Sequence, residues 1–538
     1  MHMMILQLLR VSKLDIAAAL TGLISALPFI WPYSAWMAVL AWISLVPLVL
    51  VISDRSWRRG FVAGVCFFAP VLYWLNHVMV SYGGLHPLAS LGLYLLLTAY
   101  LAMFWGASCW CSMRVVRRCA LPLSLVFPII WIAFEFLRSK LLTGFPWGSI
   151  IYSQAALPTL IQSVDLGGIW LPMLVLLLVN CTIAGALRIL RRKSVATDLK
   201  YTKIQWLPIG IAVCLFVLNA GYGHYVQNHG QHDKSTLTVT ADVDTETQTL
   251  DVALIQANID QHQKWLRSNR ARTLNLYTKM SRNNPAADLI VWPESATPFY
   301  YSEGSRYASA VDALAHDMEV NLLFGSPAKI QTPQGYTYLN SAYLLDPRGE
   351  TVGRTDKVHL VPFGEYVPLG SVLSFVDKMA VGVGDFRPGN LKLLPIDGHE
   401  AGVLICYEAI FPRLARTQVA MGATLLFNLT NDAWFGNTPA PHQHLQMARF
   451  RAMENRRWLA RCANTGVSAL IDPYGTVHGA TQIFKAGMVN GRVAFRQDLT
   501  FYTRFGDVLA WISLVVMVGW MWLSRKKVCQ PEDRCGTM

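Results

Sequence analysis

The sequence GVLICYE at residues 402–408 joins a short apolar run to a cysteine and two further residues with polar groups. A short apolar run that ends abruptly at polar residues is typical of a buried β-strand. Cys406 therefore stands at the end of a predicted strand. The sequence DLIVWPE at residues 288–294 follows the same pattern and places Glu294 just after another predicted strand.

Similar runs occur on both sides of these two and predict a sheet. Turn residues separate them, and the predicted strands are 251–256, 288–292, 321–324, 341–345, 402–405, 424–428 and 467–471. Helical patterns cover residues 305–318 and a long amphipathic stretch at 442–459. Strands that alternate with helices indicate an α/β domain. Functional side chains in such domains collect where the strands end.

Three residues near strand ends are candidates for nucleophilic catalysis. They are Cys406, Glu294 and Lys357, the last within DKVHLVPFGEYVP at residues 356–368. A neutral thiol is a poor nucleophile and needs a base and a positive field. Glu294 can accept the thiol proton, and Lys357 can stabilise a thiolate and an oxyanion. Taken singly, such a cysteine is more often core and such charges are more often solvated.

The composition divides the chain into an apolar part and a globular part. Hydrophobic residues make up 53% of the chain and charged residues 15%, against a usual charged share of about a quarter. A transmembrane helix needs about 20 mostly apolar residues. Such runs lie at 14–32, 35–53, 60–80, 88–110, 120–137, 166–189, 205–224 and 507–524. We therefore predict a polytopic α-helical membrane domain of about eight spans.

Basic residues between these runs predict the orientation, because cytoplasmic loops carry the excess of Lys and Arg. With eight spans, all the basic clusters lie on one side of the membrane, at 10–13, 55–59, 114–118, 188–203 and 525–527. The net charge of +13 thus belongs to membrane loops, which argues against nucleic-acid binding.

The same pattern predicts the domain organisation. Seven spans occupy residues 1–224, and an outer catalytic domain occupies 225–506, where an acidic, Thr-rich linker at 240–249 leads into the first strand. An eighth span follows at 507–524, and a cytoplasmic tail at 525–538. Both termini are then cytoplasmic.

Other polar residues leave two interpretations open. Glu135 and Arg138 lie one helical turn apart near the outer end of the fifth predicted span. They are either functional residues or an ion pair in which each charge satisfies the other. The GFPW sequence at 144–147 is an outer loop or a re-entrant segment. His442 and His444 are two apart on a predicted helix and point to different faces, so we expect no metal there. Cys462 is interpreted as a small buried hydrophobe.

Three motifs stand in the chain order of the nitrilase superfamily. They are WPES at 292–295, KVHLVPFGE at 357–365 and CYE at 406–408. The resemblance continues through NDAWFG at 431–436 and HQHLQMAR at 442–449, and so covers nearly the whole outer domain. With the membrane spans attached, the chain resembles the apolipoprotein N-acyltransferase family, which GFPW and PFGEYVP also fit. The resemblance implies an α-β-β-α sandwich with a Glu-Lys-Cys triad.

This resemblance also implies roles for individual residues. Cys406 corresponds to the nucleophile, Glu294 to the general base and Lys357 to the group that stabilises the oxyanion. Supporting positions that orient the triad are Glu365, Glu408 and Tyr407. Substrate-binding positions are Trp265, Asn340 and Phe363. For Phe363, guidance of acyl chains and simple packing beside Pro362 remain equally open.

The implied reaction is an acyl transfer in the bacterial inner membrane, with the catalytic domain in the periplasm. Cys406 takes an acyl chain from a phospholipid, at sn-1 of phosphatidylethanolamine, as a thioester. The α-amine of diacylglyceryl-cysteine in an apolipoprotein then accepts the chain, in a ping-pong mechanism that completes lipoprotein maturation. We expect these two substrates and membrane lipids as partners, a monomeric enzyme, and no cofactor, metal or nucleic acid.

Two other functions share parts of this sequence pattern. A membrane-tethered hydrolase of the same superfamily has the same triad but resolves the acyl-enzyme with water. A transporter or scaffold would use the outer domain only for binding. The spans lack the paired broken helices and buried charges of transport paths, which argues against the transporter.

Overall fold

The first half of the chain is helical. The computed structural model describes residues 12–53, 55–191, 199–238, 248–333, 335–366 and 386–525. The helices of this half are α1 Lys13–Ile30, α2 Ala35–Ser44, α3 Val46–Val51, α4 Ser56–Leu72, α5 Trp74–Ser81, α6 Pro87–Cys119, α7 Leu123–Arg138, α8 Val164–Gly167, α9 Trp170–Arg191 and α10 Leu199–Thr238. Between α7 and α8 lie 3₁₀ turns at Leu141–Thr143, Ile150–Ala156 and Pro158–Ile161.

Helix length identifies some of the predicted spans more clearly than others. Within the described parts of the chain, four helices are long and apolar enough to cross a membrane: Lys13–Ile30, Pro87–Cys119, Trp170–Leu190 and Leu207–Gly230. The pair α4 and α5 adds a fifth candidate, bent by 53°, just after Pro70, which removes a helical hydrogen bond. The apolar helices Ala35–Val51 and Val508–Leu523 are shorter. The structure thus shows a membrane-type helical region without establishing eight spans.

The described residues of the second half form two six-stranded sheets. The strands are β1 Thr249–Gln256, β2 Leu289–Val291, β3 Asn321–Thr332, β4 Gly335–Leu345, β5 Thr351–Asp356, β6 Leu394–Ile396, β7 His399–Ile405, β8 Leu425–Thr430, β9 Leu459–Ala463, β10 Ala469–Ile471, β11 Val477–Ala480 and β12 Gly487–Ala494. The sheet orders are β12-β1-β2-β3-β4-β5 and β11-β10-β9-β8-β7-β6. In each sheet the three central strands, β1-β2-β3 and β7-β8-β9, are parallel.

Helices cover the outer face of each sheet. The first sheet carries α12 Arg270–Arg282 and α13 Arg306–Met318, after the short α11 Gln261–Lys264. The second carries α14 Pro412–Ala420 and α15 Ala440–Asn455. The chain then runs through α16 Phe501–Phe505 into α17 Val508–Leu523. Apolar side chains such as Leu254, Val403 and Phe427 fill the space between the sheets, so the predicted α-β-β-α sandwich is confirmed.

One predicted helix differs from the observed one in its end and in its surroundings. The amphipathic pattern at 442–459 predicts one polar face, but nearly all side chains of α15 are buried. The reason is that α15 lies between the second sheet and the membrane helices, within one continuous apolar core. The helix ends at Asn455, because Arg456 adopts a left-handed conformation with φ 48°. Residue 459 therefore begins β9 instead.

Buried polar contacts join the two halves of the chain. The Arg456 guanidinium lies against the Asp165 carboxylate of α8, with Nη2 and Nε at 2.8 and 3.0 Å from Oδ2. Tyr222 of α10 donates a third hydrogen bond to that oxygen at 2.7 Å. Removing one partner of such a buried pair leaves an uncompensated charge, so these contacts fix how the sandwich sits on the helices.

Some predicted segments lie outside the described residues. They are 1–11, most of the Thr-rich linker (240–247), Val367 and Pro368 of the loop after β5, and all of the predicted tail beyond Arg525.

Candidate active site

The predicted triad is assembled from both sheets. Glu294 follows β2 and Lys357 follows β5 in the first sheet, while Cys406 follows β7 in the second. The ends of these strands meet in the interior of the sandwich, where Glu294, Lys357 and Cys406 are 6%, 1% and 7% exposed. The structure therefore brings the three candidate side chains into one buried site.

Cys406 sits in a sharp turn between a strand and a 3₁₀ helix. Its backbone is left-handed, with φ 54°, a conformation that costs a non-glycine residue roughly 1–3 kcal/mol. The carbonyl oxygen of Cys406 lies 3.1 Å from Nε2 of His444 and 3.5 Å from Nδ2 of Asn428. These contacts hold the turn, and with it the direction of the thiol.

Lys357 lies between two carboxylates. Its Nζ is 2.9 Å from Oε1 of Glu365 and 3.5 Å from Oε1 of Glu294. Burial lowers the pKa of Lys357, but the charges of Glu365 and Glu294 outweigh burial, and the pKa is raised above its ordinary value. Lys357 is therefore a permanent cation at the site.

Glu294 is held at both carboxylate oxygens. Its Oε1 accepts a hydrogen bond from Nδ2 of Asn340 at 2.8 Å, and its Oε2 accepts one from the backbone N–H of Asn431 at 3.0 Å. Behind it, a Cβ at Gly325 would come within 2.7 Å of the Cα of Glu294. This close approach requires glycine and fixes the backbone of the candidate base.

The electrostatic surroundings of Cys406 favour its neutral thiol form. Burial raises the pKa of Cys406, the charge of Glu294 raises it further, and the Lys357 ammonium lowers it in part. A protonated thiol needs a base when it attacks, and the carboxylate and ammonium that act on it can supply the base and the positive field.

The two predicted supporting acids have distinct contacts. Glu365 accepts hydrogen bonds from Lys357, from Nδ2 of Asn340 at 3.0 Å and from the backbone of Val361 at 2.8 Å. Glu408 accepts from the backbone N–H groups of Val358, His359 and Ile405, at 2.8, 3.0 and 2.8 Å. Burial raises the pKa of Glu408 to about 7, against these hydrogen bonds. Glu408 thus ties the loop that carries Lys357 to the turn that carries Cys406.

The remaining predicted residues lie at different depths. Asn340 is 3% exposed and bridges Glu294 and Glu365, and its Oδ1 has no hydrogen-bond partner in the described parts of the chain. The Tyr407 ring packs on Phe411 with centroids 5.2 Å apart. Trp265 is half-buried at the end of α11, and Phe363 is 38% exposed.

Lys264 was not among the sequence candidates, although it lies at this site. Its Nζ donates to the backbone carbonyl of Glu294 at 3.1 Å, and its side chain is 1% exposed. Burial lowers its pKa to about 8, against the charges of Glu294 and Cys406. In the sequence, Lys264 stands in a polar stretch where a solvated charge is the usual outcome, so nothing there revealed it.

A buried polar cluster beside the turn of Cys406 was also not predicted as a unit. Asp432 accepts a 2.7 Å contact from Nη2 of Arg461 and lies 3.0 Å from Nδ1 of His444. Although burial raises the pKa of Asp432, Arg461 and His444 lower it to about 2. His444 is thus engaged in hydrogen bonding, and within the described residues no group of three His, Cys, Asp or Glu side chains is arranged to hold a metal.

Other interpreted residues are built into the packing. Arg138 forms two hydrogen bonds with Glu135, at 3.1 and 2.6 Å, and donates to the carbonyl oxygens of Phe145 and Trp147. The pair is therefore satisfied, and it anchors the GFPW segment. Cys462 is fully buried, with its Sγ 3.2 Å from the carbonyl oxygen of Val291.

Family models match both halves of the chain. Residues 251–495 match the carbon-nitrogen hydrolase family, and residues 21–182 match the N-terminal domain of apolipoprotein N-acyltransferase. An amidase from Nesterenkonia sp. of known structure is 21% identical to this chain. The match covers 49% of this chain and 96% of the amidase, with a TM-score of 0.34.

Two curated relatives match almost the full length. The apolipoprotein N-acyltransferase of Geobacter metallireducens is 39% identical over 92% of each chain. That of Pseudomonas putida is 32% identical over 95% of this chain and 96% of its own. Together with the fold, these matches define a nitrilase-like domain carried by a helical membrane-type region. The chain belongs to the apolipoprotein N-acyltransferase family, and it is an amide-forming acyltransferase.

Proposed function

We propose that the enzyme moves an acyl chain from sn-1 of phosphatidylethanolamine to the N-terminal α-amine of diacylglyceryl-cysteine in apolipoproteins, through a thioester on Cys406. The observation that carries this proposal is the placement of Lys357 between Glu294 and Glu365, with both Lys357 and Glu294 acting on the Cys406 thiol. This arrangement provides a nucleophile, a base and a fixed cation in a water-poor site.

In the first half-reaction, the Cys406 thiol gives its proton to Glu294 as Sγ attacks the ester carbonyl. The carbonyl oxygen becomes an oxyanion, which the Lys357 ammonium stabilises. When the C–O bond breaks, the glycerol oxygen takes the proton from Glu294 and leaves as lysophospholipid. Cys406 then carries the acyl chain as a thioester, and Glu294 is again a carboxylate.

In the second half-reaction, the neutral α-amine of the lipoprotein attacks the thioester carbonyl. Glu294 accepts a proton from the attacking nitrogen, and Lys357 again stabilises the oxyanion. The C–S bond breaks, the sulfur recovers the proton from Glu294, and the amide leaves. Oδ1 of Asn340 has no hydrogen-bond partner among the residues that the structure describes, and it supports this step because it can accept a hydrogen bond from the incoming amine.

The chemistry of the substrates supports a membrane location for this site. Lifting an acyl chain out of the bilayer costs about 0.8 kcal/mol per CH₂, so the chains stay in lipid while their ester and amine reach Cys406. We therefore propose eight spans in the bacterial inner membrane, with seven of them within residues 1–224 and the eighth at 507–524. Residues 225–506 then lie in the periplasm, and both termini, with the tail 525–538, are cytoplasmic. The placement of the basic clusters supports this orientation.

The direct test is N-acylation of a diacylated lipopeptide by the purified enzyme in phospholipid micelles. Cys406→Ala is expected to abolish transfer, Glu294→Gln to slow it by roughly 10²–10⁴-fold and Lys357→Met by roughly 10²–10³-fold. Glu303→Gln, which changes an exposed acid of the same domain, serves as the matched control. Full activity in Cys406→Ala would overturn the proposal.

A further inference from the structure

A groove of about 580 Å³ lies where the membrane helices meet the sandwich, away from the candidate active site. Its apolar walls come from α15 and from the hairpin of β10 and β11, and they include Leu445, Val467, Val477 and Ile483. Tyr33 and Pro158 close it from the side of the membrane helices. None of the predicted catalytic or supporting residues lines this groove.

One guanidinium, that of Arg449, faces this apolar groove. Its Nε donates to the carbonyl oxygen of Gly475 at 2.8 Å, whereas Nη1 and Nη2 have no hydrogen-bond partner within the described residues. The charge of Asp472 acts on it, but Oδ1 of Asp472 already accepts the backbone N–H groups of Tyr474 and Thr476. Oδ2 of Asp472 lies 3.0 Å from Nε2 of His478, so both oxygens of this carboxylate have partners other than Arg449. The two terminal nitrogens of this half-buried guanidinium match a phosphate oxygen pair.

The surroundings of the groove indicate that this phosphate belongs to a lipid. Tyr33 lies between α1 and α2 and contacts Nδ1 of His442 through its hydroxyl at 2.6 Å. Beside it, Trp31 and Trp36 are 55% and 82% exposed. Exposed tryptophans and tyrosines at the ends of membrane helices mark the level of the lipid headgroups. A free phosphate ion would gain nothing from the apolar walls, whereas a lipid fills them with its chains.

We propose that this groove binds a second phospholipid, distinct from the acyl donor, with its phosphate on Arg449 and its chains against the hairpin of β10 and β11. The inference rests on the proposed position of the sandwich at the membrane surface. The lipid would lie on the other side of α15 from the nucleophile, since His442 faces the groove while His444 contacts the carbonyl of Cys406. A lipid bound there would hold the sandwich against the bilayer while the active site exchanges substrates.

Photolabelling of the full-length Cys406→Ala protein in nanodiscs tests this site. The probe is phosphatidylglycerol with a diazirine near the headgroup, and a matched diazirine diacylglycerol without phosphate is the comparison lipid. The expected result is phospholipid label on residues 476–483, and at most background label there from the diacylglycerol. Arg449→Gln is expected to reduce this label roughly tenfold, as loss of a charge-assisted contact predicts.

Controls keep the test decisive. Arg348→Gln, at an exposed arginine that does not line the groove, should leave the label unchanged. Ala480→Trp, which fills the groove from an exposed position, should remove it even if Arg449→Gln fails to fold. Unchanged labelling in Arg449→Gln or Ala480→Trp, or complete competition by inorganic phosphate, would overturn the inference. Acylation of Cys406 is measured separately in the parent enzyme. An absence of acyl groups on Cys406 in that measurement contradicts only the proposed reaction, not the proposed lipid site.

Discussion

Trp147 and Gln443 join the membrane helices to the catalytic sandwich through a buried hydrogen bond of 2.7 Å between Nε1 and Oε1. Nε2 of the same glutamine donates to the carbonyl oxygen of Phe29 at 2.9 Å. The next residue, His444, contacts the carbonyl of Cys406. His444, which contacts the turn of Cys406, is therefore the direct neighbour in sequence of Gln443, which contacts the membrane helices.

Replacing Gln443 with Met should destabilise the enzyme and lower its activity. The variant leaves the Trp147 N–H buried without an acceptor, which costs about 1–3 kcal/mol. Thermal unfolding in detergent measures the loss, and Gln263→Met, at an exposed position on α11, provides the control. If Gln443→Met unfolds at the parent temperature, the contact does not couple the two halves.

Trp147→Phe combined with Gln443→Met isolates the interaction between the two side chains. Because both variants remove the same hydrogen bond, the double variant should be more stable than the sum of the single effects predicts, by roughly 1 kcal/mol. Strict additivity of the two unfolding free energies would show that the residues act independently.

Lys264→Met should make the Cys406 thiol less reactive. The variant removes a buried ammonium that donates to the backbone of Glu294 and is acted on by the charge of Cys406, so the thiolate becomes harder to form. The rate of alkylation by iodoacetamide, measured against pH, should shift to higher pH. Lys279→Met, on the exposed side of α12, should leave the profile in place, and an unshifted profile in Lys264→Met would argue for a purely structural lysine.

The lowered pKa of His359 predicts how the stability of the folded protein depends on pH. Burial and the charges of Arg413 and Lys357 lower its pKa from 6.5 to about 4, and its Nε2 has no hydrogen-bond partner within the described residues. At a pH between about 4 and 6.5, the imidazole of His359 is protonated in the unfolded chain and neutral in the folded chain. Its contribution to stability is therefore present above pH 6.5 and lost as the pH falls towards 4.

The variant His359→Phe should weaken this pH dependence by roughly 1–2 kcal/mol, after allowance for partial exposure of the ring. It keeps the ring packed on Phe411, whose centroid is 3.9 Å away. Thermal unfolding across pH 4–7 gives the comparison, with the exposed His316→Asn as control. Equal pH slopes in His359→Phe and the parent would assign the effect to other groups.

The positions of Cys406 and Glu294 at strand ends could be predicted because both follow short apolar runs, whereas the placement of their strands, β7 and β2, in two different sheets could not. Lys264 could not be predicted, since its burial depends on a fold that places α11 over Glu294. The polar residues of α15 likewise suggested a solvent face, and only the packing of the membrane helices explains why that face is buried. Strand β9 was not predicted because it contains a charged residue, Arg461, which is unusual in a buried strand. The counter-ion of Arg461 is Asp432, which lies on a different segment of the chain.

The central claim is that Cys406 carries the acyl chain between the two substrates, and mass spectrometry of the enzyme incubated with labelled phosphatidylethanolamine tests it most directly. The account predicts one acyl chain on the peptide that contains Cys406, an equal amount of released lysophospholipid, and discharge of the label when a diacylated lipopeptide is added. Cys406→Ala should carry no label. Transfer to the lipopeptide without any acyl group on Cys406, or discharge to free fatty acid in place of the amide, would contradict the account.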